Sequence, residues 1–207
     1  MRMTAFRIAA LGAGRIGGTL GRKWLASGHT VIFGVRDPHG ERAQALAAEL
    51  EGNIQLTTVS EALTTADVVL FAIPGHAAGP TAAEHGDVLD GKIVIDATNN
   101  IGAATVNSIA AIQAAAPDAR IFRAFNTYGW ENFADPLYDG VPGDLFYAGP
   151  DGEAEAVVEQ LIQDVGMRPV RVGGLDQVGL VDEVLRLWFT LASGGRGRNL
   201  AFKVLSR

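Results

Sequence analysis

Three glycines at a fixed spacing constrain this chain more than any other feature. Gly12-Ala13-Gly14-Arg15-Ile16-Gly17 reads G-x-G-x-x-G, between an apolar run, Arg7–Leu11, and a helical pattern in which Ile16, Leu20 and Trp24 share one face. A strand that turns on glycines straight into a helix is the opening of a βαβ unit for dinucleotides. Gly12 permits the tight turn, Gly14 lets backbone approach a diphosphate, and Gly17 lets helix pack closely on strand. The free N–H groups and partial positive charge at the helix start suit the diphosphate.

The rest of the chain repeats the alternation. Apolar runs at Thr30–Val35, Val68–Ile73, Lys92–Asp96, Ile121–Phe125, Leu145–Ala148 and Pro169–Val172, with a shorter one at Ile54–Thr57, alternate with helical patterns. Near-continuous runs of this length are strands buried on both faces. Ala154, Val157, Val158, Leu161, Ile162 and Val165 form one helical face. The expected fold is α/β, a Rossmann-type doubly wound, mainly parallel sheet. The tail differs. Val181, Val184, Leu185, Trp188, Leu191 and Ala192 mark a long helix, Gly194-Gly195-Arg196-Gly197 breaks it, and Leu200–Leu205 reads as a short final helix. The expected organisation is a dinucleotide-binding domain over 1–174 and a C-terminal helical appendage over 175–207 that completes an acceptor cleft.

Charge and composition exclude other classes. The 207 residues carry a net charge of −6 with no basic run, so nucleic acid and anionic membrane are not expected partners. No cysteine is present, which removes disulfides, Cys-ligated zinc, Fe–S clusters and thiol catalysis. No apolar stretch reaches about 18 residues and the N-terminal run is too short for a secretion signal, so a cytoplasmic location is expected.

The second strand bears on the choice between NAD and NADP. An acidic residue at its end would bind the ribose hydroxyls; this chain has Arg36, whose guanidinium suits a 2′-phosphate. Arg42 adds charge nearby, and Asp37 keeps the acidic alternative open. Arg15 faces either the phosphates or solvent. Ligands of such sheets lie beyond the carboxyl ends of the strands, and the loops there are the polar ones. Ile73-Pro74-Gly75-His76 turns against the cofactor, with His76 either meeting substrate or capping the next helix. Thr98 and Asn99, with Asn100, either bond the nicotinamide end or make an ordinary turn. Asn126 and Thr127 close a buried strand, where unpaired amides are costly. Tyr128 and Trp130 border an acceptor, or pack in the core. His29 lies at the other end of the sheet and reads as structural; His39 and His85 read as surface residues.

No dedicated acid, base or nucleophile is visible. None of the tyrosines is followed by lysine at +4, and no HExxH helix, P-loop lysine or G-x-S-x-G elbow occurs. No catalytic residue and no metal ligand are therefore named. Hydride transfer to a flavin-like ring needs chiefly two rings held together, whereas carbonyl reduction needs a proton donor.

The chain resembles the NADP oxidoreductases that act with the deazaflavin coenzyme F-420. The resemblance rests on Leu11–Gly18, Gly34-Val35-Arg36-Asp37-Pro38, Ala72-Ile73-Pro74, Asp96-Ala97-Thr98-Asn99, Ala124-Phe125-Asn126-Thr127 and the tail Gly195–Phe202. It implies hydride transfer between NADP(H) and a flavin or deazaflavin co-substrate. It also implies 2′-phosphate contacts from a Ser-Arg pair after the second strand, of which Arg36 matches the arginine. Read from the residues themselves, the cofactor contacts are expected from Gly12, Ala13, Gly14, Arg15, Ile16, Gly17, Arg36, Ile73, Pro74, Thr98, Asn99 and Asn126, and the acceptor contacts from Thr127, Tyr128, Trp130 and His76. Two positions depart from the pattern: Val35 stands where a serine is common, and Asn126-Thr127-Tyr128-Gly129 where His-Thr-Ile-Pro is common. Two further readings stay open, an imine or small-carbonyl reductase with Asp96 or His76 as proton donor, and a non-catalytic NADP(H)-sensing module. Apolar surplus in the tail leaves a homodimer open.

Overall fold

The computed structural model describes residues 4–49 and 54–207; of Arg42 it describes the backbone alone. The chain forms two compact units, one through Ile121 and one from Phe122 to Arg207.

The first unit alternates strand and helix: β1 (Arg7–Leu11), α1 (Arg15–Ala26), β2 (Thr30–Gly34), α2 (Glu41–Glu49), β3 (Gln55–Thr57), α3 (Val59–Thr65), β4 (Val68–Phe71), α4 (Gly75–Leu89), β5 (Ile93–Asp96) and α5 (Ile109–Ala115). Its strands pair in parallel in the order β3-β2-β1-β4-β5, with Ala9 opposite Ile32 on one side and Val69 on the other. β1 and β4 bury every residue from Ile8 to Leu11 and from Val68 to Phe71, as strands covered on both faces must. This is the doubly wound arrangement expected from the apolar runs. α1 packs through Gly17, Gly18, Leu20, Gly21 and Trp24. α3 starts on a capping box, Thr58 accepting from the Glu61 amide while Glu61 reaches back to Thr58. His29 is structural, its Nδ1 accepting from the Phe6 amide at 3.0 Å. His39 is exposed. His85 corrects its surface reading: α4 leaves helical geometry there, at φ −124°, and the side chain is 13% exposed.

Following β6 (Arg120–Arg123), the second unit holds α6 (Trp130–Ala134), β7 (Leu137–Tyr138), β8 (Val141–Pro142), β9 (Asp144–Ala148), α7 (Glu153–Val165), β10 (Arg168–Gly173) and α8 (Val178–Leu191). Here β9 pairs in parallel with β10 and antiparallel with β6, through Arg123 and Ala148. α7 buries Ala154, Val158, Leu161, Ile162 and Val165 and ends on Gly166 at φ 96°. The β7–β8 hairpin was not expected. Its turn, Asp139-Gly140, has both residues at positive φ, as a two-residue hairpin loop requires.

The helical tail is present as α8, followed by a π-type turn over Ala192–Arg196. The final helix expected over 200–205 is absent: residues 197–207 form no helix. Their backbone groups bond sideways instead. The Phe202 carbonyl accepts from the Asp144 amide (3.0 Å), the Leu200 carbonyl from Trp188 Nε1 (2.9 Å), and the Val204 amide donates to the Asp144 carboxylate (2.6 Å). Groups committed in this way cannot also close helical turns.

Candidate functional site

The glycine turn is built as its spacing requires. Gly12 sits at φ 103°, a conformation other residues rarely adopt, and a Cβ there would lie 2.7 Å from the Ala72 carbonyl oxygen. A Cβ on Gly17 would lie 2.2 Å from the Gly12 carbonyl oxygen, so the helix rests directly on the turn. Gly14 differs. It is extended, at φ −80° and ψ −175°, and a Cβ would meet nothing within 4 Å. The space above it is a cradle that a side chain would fill. α1 begins there with no side-chain cap and no acidic residue in its first turn, leaving amides and helix dipole for an anion.

Gly12, Ala13, Gly14, Arg15 and Ile16 line one wall of a cavity of about 900 Å³ in the first unit. The end of β2 supplies a second wall through Gly34, Val35 and Arg36. Arg36 is exposed, and its guanidinium makes no hydrogen bond or ion pair among the described residues. Asp37, the acidic alternative, is tied into its own turn: its Oδ1 accepts from the His39 amide at 3.0 Å and its carbonyl from the Gly40 amide at 3.2 Å. The side chain of Arg42 lies outside the described residues. Gly40 and Ala43 also line the cavity, small residues whose only sequence signal was their lack of bulk.

The loop after β4 brings Ile73, Pro74 and His76 to the same cavity. Pro74 occupies the N-cap of α4 and no side chain caps that helix, so His76 does not cap it; it is exposed in the first turn. The loop after β5 interlocks with this one. A Cβ on Gly75 would lie 2.4 Å from Asn100 Oδ1, so the asparagine packs against the start of α4. Asn99 is half-buried beside it. Thr98 is buried, with amide and hydroxyl both donating to Asp96 Oδ1 at 3.0 and 2.6 Å. Asp96 Oδ2 accepts the Ser108 amide at 2.8 Å. The buried carboxylate therefore holds both ends of the 97–108 loop as an acceptor.

In the second unit, β6 runs into Phe125 at φ 60°, a strained conformation for a bulky residue. Asn126 and Thr127 follow, both buried, and Thr127 Oγ1 has no hydrogen-bond partner among the described residues. Trp130 is half-buried at the start of α6. Tyr128 is buried, and its hydroxyl donates to the Asp144 carbonyl (2.7 Å) and accepts the Phe202 amide (3.2 Å). Burial, aided by the charges of Asp144 and Tyr138, pushes this phenol well above its ordinary range. Sequence reasoning missed Asp144. Its buried carboxylate takes Arg168 (2.7 and 2.6 Å), Lys203 (3.0 Å) and the Val204 amide. Burial alone would raise that carboxyl, but these donors outweigh it and hold it below its usual value. A single aspartate ahead of an apolar run carries no sign of such partners.

Comparison with known proteins agrees with the resemblance read from the residues. Residues 7–100 match the family described as NADP oxidoreductase, coenzyme F420-dependent. The F420-dependent NADP reductase of Methanothermobacter thermautotrophicus is 25% identical over 99% of this chain and 97% of its own. A solved protein of Arthrobacter sp. FB24, provisionally described as an F420-dependent NADP reductase, superposes with a TM-score of 0.85 at 23% identity, over 98% of this chain and 100% of that one. An imine reductase from Pseudomonas sp. shares the fold at a TM-score of 0.72 and 16% identity, over 92% of this chain and 64% of that one.

Proposed function

With the match of residues 7–100 to the coenzyme F420-dependent NADP oxidoreductases as premise, we propose that this chain is an NADP(H)-dependent oxidoreductase that moves hydride between NADP(H) and a flavin or deazaflavin ring. The carrying observation is the Arg36 guanidinium, without a partner among the described residues, on the same cavity as the space above Gly14. A diphosphate fits the second and a 2′-phosphate the first.

In this reading Gly12, Ala13, Gly14, Arg15, Ile16 and Gly17 form the diphosphate cradle. Ile73, Pro74, Thr98, Asn99 and Asn126 place the nicotinamide. Thr127, Trp130 and His76 meet the acceptor, and Tyr128 supports that loop from beneath. When bound, the dihydronicotinamide supplies a hydride to the acceptor ring. The protein's task is to hold two rings in register and exclude water.

The imine-reductase reading needs a proton donor. Asp96 is unsuited, since its oxygens accept from three donors. His76, exposed on the cavity, is the remaining group. A solvent isotope effect on turnover favours that reading; its absence favours ring-to-ring transfer. The primary test mixes NADPH with FMN, FAD, coenzyme F420 and a cyclic imine, and follows loss of reduced-nicotinamide absorbance. Tight NADPH binding with no acceptor reduced indicates the sensing module instead.

Leu180 and Leu187, 54% and 51% exposed and two turns apart on α8, support a homodimer, which light scattering tests. Among the described residues no helix is long and apolar enough to cross a membrane, in keeping with a cytoplasmic location.

A further inference from the structure

The tail of the second unit is fastened to the loop that opens α6. Asn132, fully buried in α6, donates Nδ2–H to the carbonyls of Arg198 (3.1 Å) and Leu200 (3.0 Å). From there the Arg198 side chain turns back. Its guanidinium forks onto Glu131, Nε to Oε1 at 2.7 Å and Nη2 to Oε2 at 3.4 Å, and lies 5.1 Å from the centre of the Trp188 ring.

Gly129 lies against this fork. A Cβ there would come within 2.2 Å of Glu131 Oε2 and 2.5 Å of Arg198 Nη2. Its backbone, at φ −73° and ψ 162°, suits any residue. The glycine therefore leaves room for the fork, whose side-chain ends a Cβ would push aside. On the other flank, the Tyr128 hydroxyl takes the Phe202 amide. Residues 128–132 are gripped from both sides by one stretch of tail.

The ion pair itself adds little to stability. The arginine and glutamate side chains are 50% and 31% exposed, and such pairs contribute little to folding. The pair packs against Gly129, between the tail's bonds to Tyr128 and to Asn132.

We propose that residues 197–204 are a clamp on the 126–132 loop, and that Arg198 and Asn132 are positioning residues for acceptor binding. The acceptor half of this statement rests on the reading of Thr127 and Trp130 given above.

The test compares wild type with Arg198→Ala, Arg198→Lys and Glu131→Gln. Hydrogen–deuterium exchange is followed in peptides covering 126–135 and 8–36. Dissociation constants for NADPH, and KM and kcat with FMN and with F420, are measured alongside. The alanine and glutamine variants are expected to exchange about fivefold faster in 126–135 only, a local opening. Acceptor KM rises about fivefold, kcat and NADPH affinity stay within about twofold, and the lysine variant recovers part of the loss. Unchanged exchange in 126–135 overturns the clamp, as does faster exchange in both peptides together. Faster loop exchange with unmoved acceptor KM overturns its role in acceptor binding. A wild-type protein that binds NADPH yet reduces neither ring removes the acceptor reading, and the exchange result then decides the clamp alone.

Discussion

Gly17 lies so close beneath Gly12 that a single added carbon would come within 2.2 Å of the Gly12 carbonyl oxygen, whereas Gly14 between them faces space with nothing inside 4 Å. The two substitutions to alanine should therefore fail differently. Gly17→Ala forces backbone apart and is expected to cost about 1–3 kcal/mol of stability. Gly14→Ala should melt as the wild type does but fill the cradle, raising the dissociation constant for NADPH by about tenfold, equivalent to ~1.4 kcal/mol. Thermal melts with calorimetric titrations separate them.

Arg36→Glu should discriminate between the two pyridine nucleotides. A charge-assisted bond to phosphate contributes about 1.5–3 kcal/mol, so NADPH affinity should fall by roughly 10- to 150-fold. NADH, lacking the 2′-phosphate, should change by less than about threefold. Equal losses for both would refute the assignment of Arg36.

Arg123 and Asp182 form a buried pair in the second unit, Nε and Nη2 to Oδ1 at 2.9 and 2.8 Å, with side chains 0% and 9% exposed. Removing the carboxylate takes the ion pair from a buried guanidinium, so Asp182→Ala should cost about 3–5 kcal/mol. The double variant Arg123→Met/Asp182→Leu should recover most of that loss, because apolar packing replaces both charges of the pair. Urea unfolding of single and double variants measures both.

Asp144 sets an acid limit on the second unit. Its carboxyl is held below its ordinary value of 3.8 when folded, so the unfolded chain binds the proton more readily. The stability it contributes is complete above about pH 4 and is lost as pH falls through the lower folded value. Unfolding midpoints measured from pH 5 to pH 2 should drop, with loss of exchange protection in residues 200–205. Asp144→Asn should start less stable at pH 5 and show a shallower fall.

The first unit was the readable half of the molecule. The Gly12–Gly17 spacing, the buried runs of β1, β2, β4 and β5, and the basic residue after β2 are local signals, and local signals survive in a bare sequence. The second unit hid its organisation in pairings across distance. Arg123 and Asp182 are 59 residues apart, Tyr128 and Phe202 are 74 apart, and each alone looks like a solvated charge or a core aromatic. The missing final helix has the same origin: the period in Leu200–Leu205 was overridden by side chains from α6, β9 and α8 that engage its backbone. The Asp139-Gly140 hairpin, by contrast, carried a recognisable turn signal beside strands too short for periodicity to reveal. At the site, small lining residues such as Gly40 and Ala43 matter by leaving room, which composition does not reveal.

The sixty residues between Asp144 and Val204 also impose an order in time. On a ribosome adding roughly 5–20 residues per second, the aspartate is made about 3–12 s before the amide that will satisfy it. For that interval a carboxylate destined for burial has only Arg168 and water to answer it, so β9 is poorly suited to closing early. The proposed nucleotide cradle, by contrast, draws only on residues that precede all of these, so on that reading a nascent chain grips NADPH before residues 197–204 exist to bond the loop that opens α6.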